Sequence, residues 1–221
     1  MIKNLKFSIL LLIIFISKIS FSQEQSMSFS ACYGFNKLIS DVSSKASGSG
    51  GMGFYYNPIS SLDLGFTFNV GNFHGEQSDF VYQSTTGVKF LTNFFDYGIK
   101  VKYNLYSLID PNPYAKISFY ISTGLGYIEF RDRLENLNGE FIEGFGYENA
   151  GNAKPKTTTE IYVPISLGFK YRYDKNYSLA FEPAFVWCNT DKLDYVKLNK
   201  KDYYFLFPLI LEYKLYFNNV K

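Results

Sequence analysis

The chain has 221 residues, with 22 Lys and Arg against 20 Asp and Glu and a formal net charge of +2. That balance leaves no strongly basic surface for nucleic acid, and two Cys in the whole chain exclude a disulfide framework. Twenty Tyr and 23 Phe are many for a soluble domain of this size. No second long hydrophobic segment exists to make a membrane helix, so the aromatic excess falls on strands.

The first element is a secretory signal peptide over 1–22. Lys3 and Lys6 precede an apolar run from Phe7 to Ile16, and Ser20-Phe21-Ser22 supplies small residues before Gln23. The run is about 10 residues, half the roughly 20 a spanning helix needs. A short membrane anchor is the alternative reading, but nothing apolar extends the run. Cleavage after Ser22 removes Lys3, Lys6 and Lys18, takes the formal charge to about −1, and leaves one domain over 23–221. The residue directly after the cleavage point is Gln23 and not a Cys that could carry a lipid.

From there the chain alternates at period 2, the spacing that sends side chains to opposite faces of a pleated strand. Met27, Phe29, Ala31, Tyr33 and Phe35 oppose Ser28, Ser30, Cys32 and Gly34. A weaker strand, Gly50 to Tyr56, sets Met52, Phe54 and Tyr56 against Gly51, Gly53 and Tyr55. Leu62, Leu64, Phe66, Phe68 and Val70 then oppose Asp63, Gly65, Thr67 and Asn69, and Tyr97, Ile99, Val101, Tyr103 and Leu105 oppose Lys100, Lys102 and Asn104. In the fifth strand Ile117, Phe119, Ile121, Leu125 and Tyr127 alternate with Lys116, Ser118, Tyr120, Ser122, Gly124 and Gly126. The sixth, YVPISLGFKYRY from Tyr162 to Tyr173, returns almost residue for residue as the eighth, FPLILEYKLYF from Phe207 to Phe217. Between them Leu179, Phe181, Phe185 and Trp187 oppose Ala180, Glu182 and Ala184.

The connections alternate in length. Asn57 to Ser61, Ser107 to Pro113 and Asp174 to Asn176 are short and rich in turn formers. Ile39 to Lys45, Asn72 to Thr92, Arg131 to Thr158 and Asn189 to Lys201 are predicted as longer loops. Short turns at one end and long loops at the other suit an all-β, eight-stranded antiparallel up-and-down transmembrane β-barrel. A secreted lipocalin-like barrel is the competing fold, with its apolar face lining a cavity. The polar faces, mostly Gly, Ser and Ala with a few charges of both signs, suit a narrow interior better than a wetted exterior, which would carry denser Lys, Glu, Asp and Thr. The apolar faces, ending in Tyr or Phe, suit lipid and an aromatic girdle.

With these features the chain resembles the small outer-membrane β-barrels loosely called the porin family, similar in size to the OmpA/OmpX-type barrels and abundant in Bacteroidota. The resemblance rests on Ser20-Phe21-Ser22-Gln23, the two related strands, the TDKLDYV stretch at Thr190 to Val196 and the aromatic last strand. It implies residence in the outer membrane among lipids and a non-enzymatic structural or surface-interaction role. A narrow porin-like channel is the alternative, and an accessory place in an outer-membrane machine such as type IX secretion is a third. Envelope proteins or glycans would be met through loops 72–92 and 131–158.

The candidate site is a lumen charge network. Lys100, Lys102, Lys116, Lys170, Arg172 and Lys214 are expected to face inward with Asp63, Glu182 and Glu212. Enclosed charges are costly unless paired, so these residues form either an ion-pair network that fills the barrel or a mildly cationic pathway. Lys170 and Arg172 are expected to pair with Glu182 and Glu212. His74, the only His, is read as an ordinary loop residue, because a catalytic His needs a Ser and an acidic partner. Cys32 and Cys188 are expected as separate thiols, with strand eight between them. Pro164, Pro183 and Pro208 predict bulges. The acidic loop 131–158 matches no calcium-binding spacing, and no phosphate-loop, dinucleotide or zinc motif implies a cofactor.

Overall fold

The computed structural model describes residues 25–82, 85–109, 115–143, 157–194 and 201–217. The signal peptide and parts of loops 131–158 and 189–201 lie outside them. Eight strands follow in order: β1 Ser26–Ile39, β2 Ser47–Ile59, β3 Leu62–Tyr82, β4 Thr85–Asn104, β5 Ile117–Asn136, β6 Thr158–Arg172, β7 in two segments, Tyr177–Phe181 and Ala184–Cys188, and β8 Tyr203–Tyr216. Each pairs antiparallel with its neighbours, and β8 closes on β1 from Ser26↔Tyr216 to Ile39↔Tyr203. Ring closure leaves no strand edge, which is what a sheet in lipid requires.

The apolar face points outward. Along β6, Ile165, Leu167 and Phe169 are exposed, whereas Ser166 and Gly168 are buried. The ring is narrow, and within the band the large inward rings sit where a neighbouring strand offers no side chain. Tyr120 of β5 lies over Gly168 of β6, occupying the space a Cβ there would need. From Phe205 to Leu215, at about 3.3 Å per residue and a tilt of about 40°, β8 rises about 25 Å, the height of an outer-membrane apolar band. Aromatics mark both rims. Tyr97 and Tyr127, with ring centroids 6.0 Å apart, stand on the extracellular side, and Tyr177 and Tyr213, 4.9 Å apart, on the periplasmic side.

Above the band the strands continue, and the parity reverses. On β5, Leu125 and Tyr127 face out, but the next apolar residues, Ile128, Phe130 and Leu134, are fully buried inside while Glu129, Arg131, Arg133 and Glu135 take the outer face. The reversal on β4 falls at the doublet Phe94-Phe95, with Phe94 inward and Phe95 outward. Phe94 pairs with Gly71 and Phe130, and Phe95 with Val70 and Glu129, so neighbouring strands reverse at one level. Outside that level is water, so the apolar residues turn to a core of their own. Phe73 stacks on Phe94 at 4.6 Å and meets Tyr204 at 5.0 Å.

Several expectations are corrected here. The stretch 72–92 is mostly paired strand, continuing to Tyr82 and resuming at Thr85, with His74 on β3 and not in a loop. Arg131 to Asn136 likewise extends β5, and a two-residue strand, Ser44–Lys45, interrupts the 39–45 connection by pairing with Gly75 and His74. None of the three prolines shifts the register. Pro208 pairs with Gly34 and Pro164 with Val186 inside regular ladders, and the β7–β8 register is the same on both sides of Glu182-Pro183. Each strand keeps hydrogen bonds around its proline, as where the Leu167 amide donates to the Pro183 carbonyl at 3.2 Å. The upper core is expected to dominate stability above the band. Phe73→Ala should cost about 3–5 kcal/mol in urea unfolding of the detergent-solubilised barrel. Phe66→Ala, on the lipid face, should cost clearly less.

Candidate functional site

Below the upper core, the lumen is polar, and its centre is Glu182. This residue lies in the two-residue break of β7, held by its amide, which donates to the Pro208 carbonyl at 3.2 Å. Its side chain is 1% exposed. Glu182 Oε1 accepts from Lys100 of β4, from Ser166 of β6 at 2.8 Å and from Ser122 of β5 at 3.2 Å; Oε2 accepts from Tyr120 at 2.6 Å. Lys102 reaches Oε2 only at 3.8 Å and lies over the Tyr55 ring, 3.9 Å from its centroid. One carboxylate thus ties together β4, β5, β6 and β7. A second pair crosses lower down, where Lys170 of β6 donates to both oxygens of Glu212 of β8, at 2.8 and 3.0 Å.

The pairing differs from expectation in its partners. Lys170 meets Glu212, but Glu182 is served from β4 and not by Lys170 or Arg172. Arg172, Lys214 and Asp63 line a polar cavity at the periplasmic mouth, and Asp63 accepts from Asn57. Lys116 does not join them: it stands at the rim just before β5, its carbonyl accepting from the Arg172 amide at 2.7 Å, and it is exposed. Sequence reading missed Asp96, inward on β4 and 1% exposed, which accepts from Asn69 at 2.7 Å and from Tyr162 at 3.2 Å. The inward parity that placed Lys100 and Lys102, carried back across Gly98, would have found it.

A cap closes the extracellular end. The Asp194 carboxylate accepts from the Val42 amide at 3.0 Å, and Asp202 accepts from the Leu193 amide at 2.7 Å. Leu193 and Val42 are fully buried beneath it. The Asp202 carboxyl is pushed up to about 8, first by burial and then by the charge of Asp194; the Leu193 amide opposes the rise.

The His74 ring meets Ser47 Oγ at 2.7 Å, a pair the sequence did not reveal, but Ser47 is buried. Among the described residues no carboxylate is hydrogen-bonded to His74, and no group of His, Cys, Asp and Glu could hold a metal. Cys32 and Cys188 are free thiols.

Neisserial surface protein A has the same architecture: 14% identity over 86% of this chain and 97% of that one, with a TM-score of 0.54. The fold is that of an outer-membrane β-barrel. A major outer membrane protein of Thermus thermophilus gives 12% identity, 86% and 99% coverage, and a TM-score of 0.53. No protein-family model and no curated sequence matches the chain. With its apolar band and two aromatic rims, this eight-stranded barrel is an integral membrane protein of the outer-membrane type.

Glu182→Gln leaves Lys100 and Lys102 enclosed without a full counter-charge, and is expected to lower unfolding stability by about 3–5 kcal/mol, against about 1 kcal/mol for Ser166→Ala. For Asp202, the folded carboxyl titrates near 8 and the unfolded one near 3.8, so the folded state holds its proton more tightly. Stability should therefore fall as pH rises from about 4 to about 8 and level off above. Asp202→Asn should abolish that component in urea unfolding measured across the pH range.

Proposed function

We propose that this barrel is a non-conducting, non-enzymatic outer-membrane protein that acts at the cell surface through its extracellular extension. The observation that carries the reading is a lumen obstructed at several levels, leaving a cavity of about 60 Å³ beside Glu182 and one of about 30 Å³ at the periplasmic mouth. Glu182 and its partners occupy the middle, the Phe73, Phe94 and Tyr204 core lies above, and the Leu193 cap covers the top. A cationic pathway would need a continuous wet route past these side chains, and rings packed at 4.6–5.0 Å at that level speak against one.

The extension offers a surface of paired strands. Its outer face carries ion pairs between neighbouring strands, Lys45 with Glu76 at 2.5 Å and Lys89 with Glu135 at 3.1 Å, while Val81, Leu137 and Phe141 are exposed toward the hairpin ends. Exposed apolar residues above the membrane favour an envelope protein as partner over a purely polar glycan. Reconstitution in planar bilayers tests the reading. The barrel should carry no steady current above the lipid baseline, and reproducible ion-selective steps would sink the proposal in favour of a narrow channel.

A further inference from the structure

One connection at the periplasmic end is apolar where its counterparts are mostly polar. The turns Asn57 to Ser61 and Asp174 to Asn176 carry Asn, Ser, Asp and Lys, whereas β4 runs directly into a 3-10 helix, Leu105–Leu108, followed by Ile109. Leu105, Leu108 and Ile109 are exposed, Ile109 at 83%. The polar groups of the turn are satisfied within it: Asn104 Oδ1 accepts from the Tyr106 amide at 3.1 Å, and the Ser107 hydroxyl donates back to the Asn104 carbonyl at 2.5 Å.

The helix continues the lipid-facing side of the barrel. Ile99, Val101 and Tyr103 follow the outward parity of β4, and Leu105 keeps it. Side chains three apart eclipse in a 3-10 helix, which sets Leu108 on the same ridge as Leu105. The helix packs beside β5, whose own outward residues at that end, Ile117 and Phe119, are exposed as well.

Ladder register gives the depth. Asn104 pairs with Tyr120, and β5 continues three residues further, to Ile117. At about 3.3 Å per residue and a tilt of about 40° that is a descent of about 8 Å, as far as a four-residue 3-10 helix reaches at about 2.0 Å per residue. The pairs Ile117↔Tyr171, Tyr171↔Leu179 and Leu179↔Leu211 carry the level on to β8. From β4 to β8 the interstrand steps of about 4.8 Å lower it by at most about 12 Å at that tilt, while Leu211 stands about 10 Å above Leu215, at the lower edge of the apolar band. Leu108 therefore lies at the periplasmic margin of the band, not far beneath it.

We propose that Leu105, Leu108 and Ile109 form a lipid-seated foot, packed among the phospholipid acyl chains of the periplasmic leaflet, which fixes how deep the β4–β5 side of the barrel sits. Its occupant follows from continuity with the lipid-facing band, since an apolar patch left in water beside it would be unfavourable. The foot stands independently of any partner met by the surface extension. A periplasmic protein or a second copy of the chain is the competing occupant.

The test uses the full barrel refolded into phosphatidylcholine vesicles, with Cys32→Ser and Cys188→Ala removing the native thiols. Nitroxide labels at Leu108→Cys and Ile109→Cys should collide with oxygen several-fold more often, relative to a water-soluble nickel chelate, than a label at Lys175→Cys in the polar turn. A second readout leaves the thiols in place: Leu108→Trp in a Trp187→Phe background should be quenched by brominated acyl chains. Labels at 108 and 109 as open to nickel as the one at 175, labels shielded from both reagents as under a covering protein, or a tryptophan at 108 indifferent to brominated lipid would each overturn the proposal.

Discussion

Lipid offers no hydrogen bond to a peptide group, and the closure of β8 on β1 is the constraint from which the rest of this structure follows. Pairing from Ser26↔Tyr216 to Ile39↔Tyr203 turns an open sheet with two unsatisfied edges into a ring with none. Eight strands make a narrow ring, and a narrow ring sets the rules inside it. Within the band, rings as large as Tyr120 sit over glycine, and charges lie close enough to one another that they must be paired. The three prolines are tolerated on the same ground. Each gives up one donor, while the surrounding ladder keeps register across β6, β7, β8 and β1.

The same strands cross two solvents. Within the band the outer face meets lipid and the inner face is polar; above it the outer face meets water and the inner face is apolar. Nothing in the backbone changes at the boundary, and β4 and β5 run through it without a break in pairing. Only the side chains respond, through doublets such as Phe94-Phe95 and Tyr127-Ile128, where two successive apolar residues serve opposite faces. The barrel therefore has two interiors in series: an electrostatic one that ties strands across the lumen, and a close-packed one that makes the projecting hairpins rigid.

That division bears on function. A charged interior alone is compatible with a wet pathway, because paired charges can be hydrated and rearranged. An aromatic plug speaks against one, since opening it would expose Phe73, Phe94 and Tyr204 together. The plug also relocates the informative surface. Under the proposed reading, what the protein presents to its surroundings is the outer face of β3, β4 and β5 above the membrane, where Lys45, Glu76, Lys89 and Glu135 are paired across strands.

By itself, the sequence determined the strands within the band and the direction of their faces. Period-2 alternation is a local property of successive residues, and lipid makes the outward set uniformly apolar, so Val163, Ile165, Leu167 and Phe169 could be read without knowing their neighbours. It also pointed to most of the charges that enter the ring, though not to Asp96, and it placed Lys116 inside where the structure leaves it exposed at the rim before β5. The tertiary structure alone decided which charge meets which. Glu182 is tied to Lys100 on β4, whereas strand order alone had suggested the lysine and arginine of β6, because in a closed ring the lumen brings opposite strands within reach of one side chain. It decided, too, that 72–92 is paired hairpin. Above the band apolar and polar residues exchange faces, and one parity followed along the chain turns into its opposite where lipid gives way to water.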